Sequence, residues 1–433
     1  MRGRRGDLNG EAWRVLFERH AISANVERNG LFQISADQIK CEREPRLMTK
    51  FDDSERLPCI FKREGLGILP DTRGTYQIGK FDMFHSFENT PLPHIQQISP
   101  RFPLESIDYT ELTSEALALN SAYSSGMLSH FLEEENLYPT ISGRMGSSSF
   151  SFHISRGACS HHITVNNAQI EIDGGYEGEY SLALIEAKNH LANDFLVRQL
   201  YYPLRRWEAT MRKSVRPIFL AYSNGIYHFR EYTFLDINHY NSIELVREAR
   251  YVIGSDSPQL TLQCVRDIID ELDRGDENCS PGGIIPQADD FGRVVNILEE
   301  LAQAPELEAI DISEQQHFTL RQSDYYANAA IFLGLVQRVQ RGNGRYQLTQ
   351  EGDEIMRNDF HRRNIALAKA MLRPRFLRIA MKSSIDRGEL ISNIEICEIM
   401  RREEVNLSDS TVLRRAQTAR AWIKWLLENL AED

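Results

Sequence analysis

The sequence predicts an α/β (α+β) core, preceded by a small N-terminal α+β module and followed by a mostly helical region. Three observations predict it. The chain has 433 residues, more than one ordinary hydrophobic core accommodates, so roughly two to four domains are expected. Between residues 112 and 234 the apolar spacing changes from helical to twofold, back to helical and to twofold again, the alternation of a mixed helix and sheet domain. Beyond about residue 260 it is helical almost throughout.

In the first stretch, "LFQIS", "LPCIF" and "TYQIG" read as short strands broken by Gly, Pro and Asp, with one helix near "GEAWRVLFERH", an α+β module over residues 1–105. "PLPHIQQISPRFPLES" is Pro-rich and aperiodic and reads as a linker. "LTSEALALNSAYSSGMLSHFLEEE" places Leu112, Ala116, Leu119, Tyr123, Met127 and Phe131 at helical spacing behind Thr113 and Ser114, predicting one long amphipathic helix. "SFSFHIS", "ITVNNAQIEID" and "YSLALIEAK" alternate as strands of a meander, with "GGYEGE" as a turn. "NDFLVRQLYYPLRRWEATM" returns to helix, and "VRPIFLAYS" and "YHFREYTF" form a hairpin through Asn224-Gly225. This second domain spans 106–255, and the polar, Gly/Pro-rich "SDSPQ" and "DRGDENCSPGG" close it.

The remainder divides into 280–358 and 359–433. In the first, a helical run is followed by an apolar exit at Leu333 to Val336, a Gly342-Asn343-Gly344 turn and the strand-like "RYQLT", a winged-helix signature with Arg338, Arg341 and Arg345 around the wing. Arg321, Gln322, Ser323, Tyr325, Tyr326 and Asn328 lie where a recognition helix belongs; winged helices serve both DNA contact and protein docking. In the second, "LSDSTVLRRAQTARAWIKWL" opens with Ser408 and Asp409 as caps and displays Ser410, Thr411, Arg414, Arg415, Gln417, Thr418 and Arg420, types that reach phosphates and base edges. Trp422 and Trp425 read as core anchors.

Composition removes several classes. No run approaches the roughly 20 apolar residues of a membrane span, and the basic N-terminus lacks the apolar stretch of a secretion signal. Six scattered cysteines without a CxxC pair suit reduced thiols in a cytoplasm. "CSHH" at 159–162 crowds its ligands along one strand, where they alternate in direction, so a metal site is not expected there. No Gly-x-x-x-x-Gly-Lys followed by Ser or Thr is present, which leaves ATP-driven translocation without support. Net charge is −12, yet from His361 to Ile385 Arg362, Arg363, Lys369, Arg373, Arg375, Arg378 and Lys382 stand without one Asp or Glu. That basic stripe is a candidate polyanion contact, with a solvated helix face as the alternative.

The chemistry concentrates in "QIEIDGGYEGEYSLALIEAKNH", residues 169–190. Glu186 and Lys188 lie two apart and share one face of a strand. Asp173 ends the preceding strand, and antiparallel pairing brings its carboxylate beside Glu186. Crowded carboxylates repel unless a hard cation sits between them, and Mg²⁺ prefers such oxygens. The ammonium of Lys188 is then placed to orient or help deprotonate the water that attacks a phosphodiester. A surface ion pair on an edge strand is the plain alternative. "SGRMGSSSF" adds Arg144, Ser142 and Ser147 to Ser149 in a Gly-rich loop suited to phosphate oxygens, or to a simple turn.

An acid after an apolar run, a Gly-rich turn, the strand "LALIEAK" and a following helix resemble the PD-(D/E)xK nuclease core, with Ile172 in place of the motif's Pro and Gly174-Gly175 after the Asp. More widely, "SSGMLSHFL…TISGRMGSSSFSF…IEIDGGYE…IEAKNH…RQLYYPLRRW", with "EPRLMTKFD" and "LPDTRGTYQIGKFDMF" upstream, is similar to a group of bacterial type II restriction endonucleases. The resemblance implies a Mg²⁺ cofactor held by Asp173 and Glu186, a water positioned by Lys188, and support from Gln199 and Tyr202 on the next helix. It also implies a further carboxylate from Glu115. Helix packing explains Gln199 and Tyr202 equally well, and a favourable helix dipole explains Glu115. Expected partners are double-stranded DNA, a second copy in a homodimer, and a cognate DNA methyltransferase in function, within a bacterial cytoplasm. DNA contact is expected from Arg144, Ser147, Ser148, Arg321, Gln322, Tyr325, Arg373, Arg375, Arg414 and Arg415. Two rival classes stay open: a methylation-dependent or repair endonuclease, and a non-enzymatic winged-helix DNA-binding regulator.

Overall fold

The computed structural model describes residues 7–87, 91–100, 104–109, 112–255, 257–275, 285–315, 320–339, 344–403 and 408–431. It is a mixed α/β protein with its main sheet in the middle of the chain. Among the described residues no helix is long and apolar enough to cross a membrane.

The N-terminal module contains α1 (Leu8–Arg19), α2 (Ile22–Asn29), β1 (Leu31–Ser35), α3 (Ala36–Lys40), α4 (Pro45–Thr49), α5 (Cys59–Glu64), β2 (Gly67–Pro70) and β3 (Thr75–Gly79). Its antiparallel sheet has the order β1-β3-β2. Trp13 and Phe17 pack edge-on against Phe61 at 4.8 and 5.1 Å, and the Trp13 indole donates to the Met48 carbonyl at 2.8 Å. "LPCIF" is therefore not a strand. Pro58 precedes the first residue of α5, where its missing N–H costs nothing, and Phe61 turns into the Trp13 cluster.

The central domain contains β4 (Phe84–Ser86), β5 (Ile95–Ile98), α6 (Glu115–Ser124), α7 (Met127–Leu132), β6 (Tyr138–Gly146), β7 (Ser149–Arg156), β8 (Cys159–Asn166), β9 (Gln169–Glu177), β10 (Ser181–Lys188), β11 (Asp194–Leu196), α8 (Arg198–Glu208), β12 (Ser214–Ser223), β13 (Ile226–Phe234) and β14 (Ile243–Ile253). Seven strands form one sheet, ordered β5-β14-β13-β12-β10-β9-β6. The β10/β12 and β14/β5 pairs are parallel and the rest antiparallel. Helices α6 and α7 cover one face, and α8 with the β7-β8 hairpin covers the other.

Three expectations change here. The Pro-rich linker supplies β5, an edge strand of this sheet. The long helix is two helices, because Ser125 and Gly126 (φ 87°) break it. Gly174 and Gly175 lie inside β9 rather than in a turn. A Cβ on Gly174 would sit 2.5 Å from Leu119 and one on Gly175 2.7 Å from Ile141, so these glycines admit close neighbours to the strand. The expected Asn224-Gly225 hairpin joins β12 to β13 with both residues at positive φ.

The last region contains α9 (Leu262–Arg274), α10 (Phe291–Gln303), β15 (Leu307–Glu308), α11 (Ala309–Gln315), α12 (Leu320–Phe332), β16 (Val336–Arg338), β17 (Arg345–Leu348), α13 (Gln350–Met356), α14 (Phe360–Leu372), α15 (Arg375–Arg387), α16 (Asn393–Arg402) and α17 (Asp409–Glu428). Its small sheet runs β15-β17-β16. One apolar cluster extends from Leu260 to Leu426, so segments 280–358 and 359–433 share a core. Trp422 anchors it as expected, donating to the Ala288 carbonyl at 2.7 Å. The β12-β13 tip seats against this region: the Asn224 N–H donates to Glu299 and its amide to Asn364, both at 2.9 Å.

Candidate active site

All eight residues of β10 are buried. Leu182 and Leu184 pack toward α8, while Ala183, Ile185 and Ala187 pack toward α6 and α7. Glu186 and Lys188 continue the first row and form an ion pair at 2.6 Å, each only 6 % exposed. Asp173, on the adjacent antiparallel strand, accepts a hydrogen bond from the Ala187 N–H at 2.8 Å. Pairing of Gly174 with Ile185 sets this register and carries Asp173 to the level of Glu186 and Ala187.

Three further elements close on these groups. Glu115, in the first turn of α6, lies 3.9 Å from the Lys188 ammonium. Ser114 caps that helix as its sequence predicts, accepting from the Leu117 N–H at 3.2 Å. Gln199 on α8 donates its amide to Glu186. The same nitrogen lies 3.2 Å from Asp52 of the N-terminal module.

This crowding has electrostatic consequences. Burial pushes the Glu186 carboxyl up to about 8; Lys188 opposes the shift, and Asp173 and Asp52 add to it. Burial also raises Glu115, again opposed by Lys188 and reinforced by Asp173. For Lys188 burial disfavours the charge, but Glu186, Asp52 and Glu115 outweigh it and hold the ammonium protonated. The arrangement is a set of hard oxygen donors around one fixed cation.

Two hollows adjoin it. A pocket of about 40 Å³ is lined by Asp52, Asp53, Lys188 and His190. A larger cleft, about 710 Å³, opens beside Glu115 and is walled by Glu299, Glu300, Asp353 and Arg363. The smaller one reaches the centre itself, because Lys188 lines it.

The other expected residues do not converge on this centre. Tyr202 is fully buried and donates its hydroxyl to the Pro70 carbonyl at 2.9 Å, so it packs α8 on the N-terminal module. Arg144 lies on β6 and pairs with Glu171 at 3.2 Å. Ser147 is fully buried, its hydroxyl donating to the Ser148 carbonyl at 3.0 Å, which corrects it as a phosphate contact. Ser148 is exposed at positive φ; the segment is a corner between strands.

Arg321 lies in α12, but its side chain, like Arg341, Gly342 and Asn343, is outside the described residues. Gln322 and Tyr325 are half-buried. The basic stripe is also corrected. Arg363 pairs with Glu299 at 3.5 Å, Lys369 with Glu271 at 2.7 Å, Arg375 with Glu403 at 3.3 Å and Arg378 with Asp273 at 2.9 Å. Arg373 pairs with Glu351. The acids come from other helices, so a local charge count misses them. Arg414 is exposed, whereas two guanidinium nitrogens of Arg415 are buried without a hydrogen-bond partner among the described residues, an orientation unsuited to reading a base.

Sequence reasoning missed Asp52. The available signal was the acidic pair in "KFDDSE" directly after a short apolar helix, but nothing local ties it to β10.

The fold and site define a mixed α/β protein with a buried carboxylate and lysine centre at the end of a central strand. Residues 10–78, 79–252 and 293–431 match three family models, described as domains of unknown function DUF6996, DUF6997 and DUF7226. The first boundary falls where β3 ends, so β4, paired with β11, and β5, on the edge of the main sheet, both go with the central domain. No curated protein and no solved structure matches the chain.

Proposed function

We propose that this chain is a Mg²⁺-dependent, site-specific double-strand DNA endonuclease of the type II restriction kind, with a PD-(D/E)xK-like core. The observation that carries the reading is the meeting of Asp173, Glu186 and Lys188 on paired strands at one buried point. The route from β10 through α8 to the parallel strand β12 supports it, as does the sequence resemblance. In the C-terminal region the order α10, β15, α11, α12, β16, β17 is that of a winged helix, in keeping with a double-stranded DNA partner. A homodimer, a bacterial cytoplasm and a functional pairing with a DNA methyltransferase follow from the resemblance alone.

The donor set fits Mg²⁺. Among the described residues no three His, Cys, Asp or Glu side chains close around one point, yet Mg²⁺ commonly takes only one or two protein carboxylates and fills its shell with water and phosphate. Asp173 and Glu186 would hold it. When bound, the ion supplies charge neutralisation at the phosphodiester and lowers the pKa of water. Glu115 and Glu186 keep the Lys188 ammonium charged, so it acts as a donor that orients the attacking water toward phosphorus. The resemblance implies a 5′-phosphate and a 3′-hydroxyl as products.

Plasmid digestion in Mg²⁺, with the ends sequenced, tests this directly. Asp173→Ala and Glu186→Ala are expected to abolish cutting while specific binding in Ca²⁺ stays within about threefold. Undiminished cutting by either variant at saturating Mg²⁺ would falsify the assignment.

A further inference from the structure

Asp52 reaches the centre from outside the central domain. It is 8 % exposed, and its loop is pinned rather than draped. The Leu196 N–H donates to the Asp52 carbonyl at 2.9 Å. The Ser54 N–H donates to Asp194 at 2.8 Å and Asn193 to Glu55 at 3.1 Å. Every one of these partners belongs to the segment joining β10 to α8. Lys50 and Arg56 lie 3.8 Å from the Asp52 carboxylate.

One hydrogen-bonded link inward runs through a single atom. The Gln199 amide nitrogen serves both Asp52 and Glu186, and an amide NH₂ has two hydrogens, one for each carboxylate. The Gln199 oxygen is buried and accepts no hydrogen bond from the described residues. An unsatisfied buried acceptor is costly, so the two carboxylates dictate the amide's orientation at the expense of its own acceptor.

We infer that Asp52 is a positioning residue of the catalytic centre: it fixes the Gln199 amide, which holds the Glu186 carboxylate in the orientation that receives a divalent cation. The N-terminal module is then part of the centre, and its docking onto β11 completes it. This inference rests on the metal-dependent reading above. Groups that orient a metal ligand typically alter metal affinity by about 10–100-fold when removed.

The test titrates the full-length protein with Mn²⁺ in the absence of DNA, following binding by electron paramagnetic resonance. Asp52→Ala and Gln199→Ala are each expected to weaken Mn²⁺ binding about tenfold or more, and the double variant no further than the weaker single one, since both act along one path. Asp52→Asn keeps an acceptor oxygen for Gln199 and is expected to stay within about threefold. If Asp52→Ala binds Mn²⁺ like the parent while Glu186→Ala does not, the inference fails and the nuclease reading stands. Multiplying effects in the double variant overturn it as well, because Asp52 then acts independently of Gln199. If Glu186→Ala also leaves Mn²⁺ binding unchanged, both readings fall. Should Asp52→Ala not fold, unchanged affinity in Gln199→Ala is sufficient to overturn the inference.

Discussion

Lys188 stands between Glu186 at 2.6 Å and Glu115 at 3.9 Å, and on the nuclease reading its worth to catalysis is separable from its worth to packing. Lys188→Met keeps the length of the side chain and removes the donor. A fall in kcat on the order of 10²-fold is expected, in the range of a positioned proton-transfer or donor group. A loss within about threefold, under ~1 kcal/mol of barrier, makes the lysine structural. His228 on β13 offers a stability test remote from this chemistry. Its Nε2 lies 2.8 Å from Glu248 and its Nδ1 2.9 Å from an Arg230 nitrogen. Arg230 can only donate, so the ring is neutral with its proton on Nε2. Burial pushes its pKa down to about 4; the Glu248 hydrogen bond opposes this and Arg230 adds to it. The unfolded chain takes up this proton first as pH falls from ~6.5, so stability is lost between about pH 6.5 and 4, on the order of 3 kcal/mol. His228→Gln should flatten that part of the pH–stability curve; an unchanged curve refutes the assignment. Asp173, Glu186 and Lys188 were legible because a twofold period fixes which side chains share a face. Gln199 and Glu115 came through resemblance. Asp52 was illegible, since its role depends on a loop crossing between domains.

The β12-β13 hairpin was readable from Asn224-Gly225 because an Asn-Gly pair adopts the positive φ that a tight turn requires. What its tip touches was not. Asn224 meets Glu299 and Asn364, and Ser223 meets Asn296, so a turn chosen for its backbone is also an interface. Asn224→Gly keeps the backbone freedom and removes the amide. It should weaken the contact by about 1–3 kcal/mol and split thermal unfolding into two transitions; one cooperative transition at the parental temperature counts against this coupling. Elsewhere local pattern misled. "LPCIF" has the composition of a strand but folds as α5 around Phe61, a case of tertiary burial overriding propensity. "IQQI" looks like linker, yet β14 offers it a free edge to pair with. The single helix expected over 112–131 fails at Gly126, whose left-handed backbone precedes α7.

Across the molecule, the division into an N-terminal module, a mixed sheet domain and a helical remainder was visible in the changing hydrophobic period. The shared core from Leu260 to Leu426 was not, because composition cannot say which helices face one another. Nor was the fate of the basic run at 361–385, whose cations find acids on α9, α10 and α13 and beyond α16. These pairings bear on how an acidic chain meets a polyanion, and so does the burial of its centre. With Glu186 and Lys188 each 6 % exposed and only about 40 Å³ of space beside them, a duplex cannot touch the reactive groups in this shape. The adjoining cleft is lined by Glu115, Glu299, Glu300 and Asp353 together with Arg357 and Arg363, so it is no basic groove made ready for a polyanion. On the nuclease reading, the resting protein is latent: its DNA must first work on the enzyme, and only a sequence that binds tightly enough supplies that work. In rapid mixing the first cut should trail binding by a lag that does not shorten with more DNA, and cutting without such a lag would mean the centre is open at rest. Latency of this kind turns recognition into a safety catch, leaving a chromosome full of near-matches beside an enzyme that stays disarmed.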